Sequence, residues 1–346
     1  MGERSLKNFF KEMLLLLLFL MSFENYTKFE DVFKKAREIS LSDDVIIGSI
    51  ADLVVTSRGE FIISDPIGNA VLVFGNGGKF LRKIGNFGSG PGEFRSPNRI
   101  AVDEFGNIYV EDRGNRRINV YDGSGNFKFS FRLEKGPLFS LKVKGNYIYT
   151  YCPAGIGRDE RVIYIYNGKG ELVKKFGNLP KFMWDFPFVI SGGGMVVDSV
   201  GSVYQVHPVE YVVNKYSIDG SLLNRLVGKS QFYKAPTMPD IKTIQAEYQK
   251  WLDSWTPVSG LYLLEDKFLI VLTTLGKEGR QKKFIIDIFD LEGKLLKGDI
   301  FLSLPESATI IGAYGDGFYI AEQQVFDEKG NLLNPKIIEY KIKSGL

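Results

Sequence analysis

His207 is the only histidine in this chain and Cys152 the only cysteine. Those two counts bound the chemistry. A three-histidine zinc site lacks its ligands, and an internal disulfide lacks its second thiol. A Ser-His-Asp arrangement has to use His207, and no strained nucleophile turn accompanies it. His207, next to Pro208, reads as a hydrogen-bonded loop residue, with a catalytic base as the sharper alternative. Cys152 reads as a buried strand-end thiol. A calcium site needs several converging oxygens. Glu210, Asn98 and Asp185 carry them, but their spacing does not bring them together. The remaining candidates are contact residues rather than catalysts. Arg99, Arg113 and Arg158 can hold an anion, and His207, Tyr211, Trp251 and Trp255 can add aromatic surface to a ligand or partner site.

The elements that must position these residues repeat. Six times an aromatic residue ends an apolar strand and a short turn follows: Phe74, Tyr121, Tyr166, Tyr216, Phe289 and Tyr340, as in Phe74-Gly-Asn-Gly-Gly78 and Tyr121-Asp-Gly-Ser-Gly125. Four of the five gaps are 45 to 51 residues; the fifth, from Tyr216 to Phe289, is 73 and must hold an insertion. Upstream of each aromatic lies a hairpin, such as Leu53–Asp65 or Ile100–Asp112, with Gly or Asp in its turn. A strand-rich unit of this length cannot bury both its faces alone and must stack on copies of itself. The expected fold is all-β: a six-bladed β-propeller of four-stranded antiparallel blades over 37–346. Strands run A to D from the centre outward in each blade. The sixth blade runs out of chain after its C strand, so its fourth strand is expected from about Arg37 to Leu41. That closes the ring and removes a free edge.

Alternating strand direction sorts the connections. The A–B and C–D turns are tight and share one face. The D–A and B–C connections carry the irregular length and share the other, which makes that face the expected binding face. The insertion falls there, over 229–258. Pro239 can open a helix with Asp240 at its positive dipole end. Ile241, Ile244, Tyr248, Trp251, Leu252 and Trp255 make one apolar face, and Pro257 stops it. This one helical insertion either packs on the rim or forms a lid whose tryptophans border the centre.

The second repeat is the most specific. Ile84-Gly-Asn-Phe-Gly-Ser-Gly-Pro-Gly-Glu-Phe94 leads to Ile100-Ala-Val-Asp-Glu-Phe-Gly-Asn-Ile-Tyr-Val-Glu-Asp112 and Asn115-Arg-Arg-Ile-Asn-Val-Tyr121. This blade resembles the NHL repeat closely and the first blade does so moderately. The whole looks like the exported six-bladed propeller proteins of bacteria. The resemblance implies that Asp112 and Arg117 are structural partners. It also marks Arg99, which stands where the pattern usually has Gly. Metal-assisted hydrolases and lyases of the six-bladed superfamily form the rival functional class, with calcium the metal to expect under that reading.

The chain starts with Arg4, Lys7 and Lys11 ahead of an apolar run from Leu14 to Met21. A basic start and a short apolar stretch have the form of a secretory signal peptide over 1–22. The run is too short for a bilayer-spanning helix, which needs about 20 apolar residues. Glu12 abuts the run, and no Ala-x-Ala site or lipidation Cys follows. Residues 23–36 read as a linker or short helix. A net charge of +3, with both signs interleaved, gives no basic arm for nucleic acid. The sequence therefore points to an extracytoplasmic propeller that binds a small ligand or a protein without a cofactor, and meets a membrane only during export.

Overall fold

The computed structural model describes residues 26–153, 159–186, 192–237, 248–323, 325–326, 330 and 332–345. Arg158, the leader over 1–22 and residues 238–247 of the insertion lie outside the described residues. Six four-stranded antiparallel sheets form the ring. Blade one, for example, is Asp52–Val55, Phe61–Asp65, Ala70–Phe74 and Phe80–Ile84. The two middle strands of that blade are buried at every residue, whereas the outermost alternates. Neighbouring blades cover both faces of a middle strand, so its sequence is a continuous apolar run rather than an alternating one.

The repeated aromatics and glycines are where blades lock together. The Tyr166 ring of blade three packs 5.2 Å from Phe131 of blade two, and Tyr216 of blade four sits 5.1 Å from Phe176 of blade three. The glycine ending the C–D turn is needed twice over. Gly170 has φ +81, and a Cβ there would enter the Phe131 ring of the preceding blade.

Closure follows the same rule. The strand Phe33–Ser40 pairs antiparallel with Lys336–Ile342, from Phe33↔Ile342 to Ser40↔Lys336. It begins four residues before the expected segment, because a four-residue helix, Phe29–Val32, turns the chain directly into it. Gly78 of blade one, at φ +85, faces Ser40 O as Gly170 faces Phe131, so the N-terminal strand occupies the outermost place of blade six. Asn334 bolts the two ends: its side chain accepts from Ile47 N (2.9 Å) and donates to Ser42 O (2.8 Å). Arg37 pairs with the Glu339 carboxylate across the same ladder. Thr27–Lys28 adds a short parallel strand to the edge of blade five. Of the insertion, the described residues include a helical segment over 248–252.

Candidate functional site

The innermost strands of all six blades line a cavity of ≈ 730 Å³. Its lining continues through the A–B turns at 56–58, 103–106 and 315, so it opens on the tight-turn face. The loop-bearing face, by contrast, was the expected binding face.

The wall mixes apolar residues, such as Val54, Ala101 and Val196, with polar ones. Asp52, Arg99, Lys142, Tyr262 and Tyr314 stand along its depth, and charged residues such as Arg58, Glu60, Asp103 and Glu104 line its turn end. In the repeat, Lys142 and Tyr262 hold the position that is Val54, Ala101 and Val196 in other blades. Asp52 and Arg99 hold the position that is Gly194 and Gly260 in blades four and five.

Irregular backbone aims three of these residues. In blade two, Pro97 pairs with Asp112 and Ile100 with Val110, leaving Asn98 and Arg99 opposite Glu111 alone. Such a bulge redirects a side chain and strands its N–H. Glu111, itself buried, repairs this: it accepts from Arg99 N (3.4 Å) and Leu138 N (2.9 Å). Blades five and six have matching bulges before Gly260 and Gly312. Each glycine lies two residues before a channel tyrosine, on the same strand face. A Cβ on Gly260 would stand 2.7 Å from the Tyr262 hydroxyl, and one on Gly312 3.2 Å from the Tyr314 ring. The Gly-x-Tyr spacing lets each ring lie back along its strand.

The electrostatics are uneven. Three of the four acids lining the cavity accept bonds from the protein's own donors. Asp52 accepts from Leu53 N and Ile100 N, both at 3.0 Å. Asp103 is taken up by Phe105 N, Asn107 and Tyr109 of its own turn. Glu60 pairs with Arg58 at 3.3 Å and Arg82 at 3.7 Å. The deep cations are not matched in this way. Among the described residues Arg99 Nε reaches only Leu138 O, at 3.5 Å, and Lys142 Nζ stands 5.7 Å from the Tyr314 ring centroid. No carboxylate among the described residues forms an ion pair with either. Burial lowers the Lys142 pKa below its ordinary value, with Asp52 opposing and Arg99 adding to that effect. Burial raises Asp52, against the pull of Arg99. It also raises Tyr262 to about 12 and Tyr314 well above its usual value. Neither tyrosine hydroxyl has a hydrogen-bond partner among the described residues.

Of the other residues singled out in the sequence, none that the structure describes lines this cavity. Arg113 is exposed on a short 3-10 turn, Arg113–Asn115. His207 is 2% exposed. Its Nε2 donates to Asn178 O at 3.0 Å and its Nδ1 lies 3.1 Å from the Tyr151 hydroxyl, tying blade four to blade three. Burial pushes its pKa down to about 3, so the ring is neutral. It borders a groove of ≈ 460 Å³ between the outer strands of blades three and four. Tyr211 is buried and donates to the Asp287 carboxylate of blade five. Trp251 and Trp255 are buried against Leu179, Met183 and Phe182. Asp112 and Arg117 pair at 2.9 Å, and Arg117 also donates to Gly90 O and Glu93 O of the Gly-rich linker. Among the described residues no three His, Cys, Asp or Glu side chains come together in a way that could hold a metal ion.

Known proteins resemble this chain at two levels. Protein brain tumor of Drosophila melanogaster is 38% identical over 100 residues, 28% of this chain and 10% of that protein. Human NHL repeat-containing protein 3 is 35% identical over 75 residues, 21% of this chain and 22% of that one. The chain thus spans a small fraction of its curated relatives. Two solved structures share the fold over nearly its whole length. A member of the DUF4221 family from Bacteroides vulgatus has a TM-score of 0.65 at 10% identity, covering 90% of this chain and 98% of its own. A Bacteroides fragilis protein described, itself by inference, as exported has a TM-score of 0.64 at 14% identity, covering 92% and 97%. The fold is therefore a six-bladed propeller with NHL-like blades. A family model described as a domain of unknown function, DUF4934, matches residues 21–290, and the chain belongs to that family.

Proposed function

We propose that this protein is a non-catalytic binding propeller that takes a small ligand in its central channel, entering from the tight-turn face. One observation carries the reading: a ≈ 730 Å³ cavity to which all six blades contribute, with charged and hydrogen-bonding groups converging among apolar ones. That is the size of small-molecule sites in general. Export to an extracytoplasmic compartment is part of the proposal. It rests on the basic and apolar pattern of residues 1–22. No helix among the described residues is long and apolar enough to cross a membrane.

The test is a thermal-shift screen with a chemically broad small-molecule library, run on the wild type and on Val143→Trp. Val143 lines the cavity and is partly exposed to it, so a Trp there fills the channel. Ligands should raise the melting temperature of the wild type through preferential binding to the folded state and lose that effect in the variant. Ligands that act equally on both proteins, or an absence of ligands, would overturn the reading.

A further inference from the structure

Taking the channel as a small-molecule site, we propose that its deep end is a carboxylate site, in which Arg99 and Lys142 hold the anion and Asp52 receives a donor from the same ligand. The argument rests on which charges are already spent. Asp103 and Glu60 answer to donors within their own blades. Arg99 and Lys142 form no ion pair with a carboxylate among the described residues and feel Asp52 only at longer range, yet both are held in the cavity wall. A desolvated cation without an anion is costly, and the cost is removed when an anion enters. The bulge at Asn98–Arg99 turns Arg99, and Glu111 satisfies the backbone N–H that the bulge exposes.

The charge count selects the kind of anion. Arg99 and Lys142 bring two positive charges. Asp52 and Glu111 stand on adjoining strands and bring up to two negative ones. The four groups together carry between 0 and +2, so a monoanion leaves the site between −1 and +1, whereas a dianion leaves it between −2 and 0. Planar carboxylate geometry also suits the guanidinium fork of Arg99. The body of the ligand then lies against the faces of Tyr262 and Tyr314 and the apolar wall. Each Asp52 oxygen accepts one backbone N–H and keeps a lone pair for a hydroxyl or amine of the ligand.

Isothermal titration with four ring compounds of one size tests this: benzoate, phenyl phosphate, benzamide and benzylamine. Benzoate should bind most tightly. Its affinity should fall at least about 10-fold, or 1.4 kcal/mol, in Arg99→Gln and in Lys142→Met. Binding of benzoate should also raise the Lys142 pKa, seen as proton uptake in buffers of different ionisation enthalpy, and this uptake should vanish in Lys142→Met. Tighter binding of phenyl phosphate overturns the charge argument. Equal binding of benzamide, or unchanged benzoate affinity in both variants, overturns the anion site. No benzoate binding overturns it too. If benzylamine binds instead and Val143→Trp abolishes that, the channel reading stands while the carboxylate assignment falls. If the Trp variant binds every probe as the wild type does, both fall.

Discussion

The ammonium of Lys142 lies 5.7 Å from the centroid of the Tyr314 ring, across the channel from the strand that carries it. The two residues come from blades three and six, and no carboxylate among the described residues pairs with the lysine. A ring face offers a cation some compensation, on the order of 0.5–2 kcal/mol, but burial still depresses the Lys142 pKa.

Lys142→Met keeps the shape and removes the charge. It should therefore stabilise the unliganded protein, by roughly 1–2 kcal/mol at neutral pH, as measured by urea unfolding. The pH dependence has a definite sign. Between the depressed folded pKa and the ordinary 10.5, the unfolded chain binds more protons, so wild-type stability gains from Lys142 as pH rises. The advantage of the Met variant should shrink over that alkaline window. A variant less stable than wild type would mean that Lys142 is already paid for by contacts in the free protein.

The ring was legible in the sequence because its signals are local. Each aromatic-turn unit lies within a single hairpin, and the NHL-like wording of blade two includes the Asp112–Arg117 pair. The channel was far less legible. Asp52, Arg99, Lys142, Tyr262 and Tyr314 are spread over 262 residues of sequence and meet only when the ring closes. Arg99 stood out because it replaces a patterned Gly. Two further signals were present: a Lys at a repeat position that is small and apolar in three other blades, and Gly-x-Tyr in both Gly260-Leu-Tyr262 and Gly312-Ala-Tyr314. The loop-face expectation rested on loop length, which does not reveal where a cavity opens.

Closure by Phe33–Ser40 makes the N-terminal region essential to blade six. Deleting residues 1–43 removes Phe33, Ile39 and Leu41, all buried, each worth about 1.5–3 kcal/mol. The melting temperature should fall sharply. Asn334→Ala is the milder probe. It leaves Ile47 N unpaired in a buried setting and should cost about 1–3 kcal/mol. A truncated chain that melts with the full-length protein would exclude the closure model.

His207 should govern the acid limb of stability. Its folded pKa of about 3 lies below the ordinary 6.5. The unfolded chain therefore takes up a proton first as pH falls below 6.5, and stability drops progressively down to about pH 3. His207→Gln, which can keep the bond to Asn178 O, should be less stable at pH 7 yet show a flatter loss between pH 6.5 and 4.5. Denaturant midpoints at three pH values would check this. Parallel slopes in the two proteins would show that other groups set the acid limb.

Asp287 should act with the opposite sign. Burial pushes its carboxyl up to about 7, with Asp299 N donating to it at 2.6 Å and Tyr211 donating to its other oxygen. Between pH 3.8 and 7 the folded state binds more protons, so this group costs stability as pH rises. Asp287→Asn can still accept from Asp299 N while its amide donates to Tyr211. The variant should gain on wild type between pH 5 and pH 8 in calorimetric melts. A difference that stays constant over that range would show that Asp287 does not titrate there.

The two tryptophans of the insertion differ in one polar atom, and that atom predicts an inversion. Trp251 is 9% exposed and donates Nε1–H to Thr237 O at 3.0 Å, with its ring stacked on Phe182 at 6.3 Å. Trp255 is more deeply buried, at 5%, but its Nε1 has no partner among the described residues. On burial alone, truncating Trp255 should hurt more, and for Ala at either site the loss should be about 3–5 kcal/mol. Phe substitutions separate the packing from the polar term. Trp251→Phe gives up a hydrogen bond as well as volume. Trp255→Phe gives up volume but also removes a stranded donor, which is itself worth about 1–3 kcal/mol. Trp255→Phe should therefore be the cheaper of the two despite the deeper burial. Neither ring lines the channel, so both Phe variants should keep wild-type ligand-induced shifts. If Trp255→Phe proves costlier, its indole N–H has a partner in solution; if either variant loses ligand response, the insertion reaches the binding site after all.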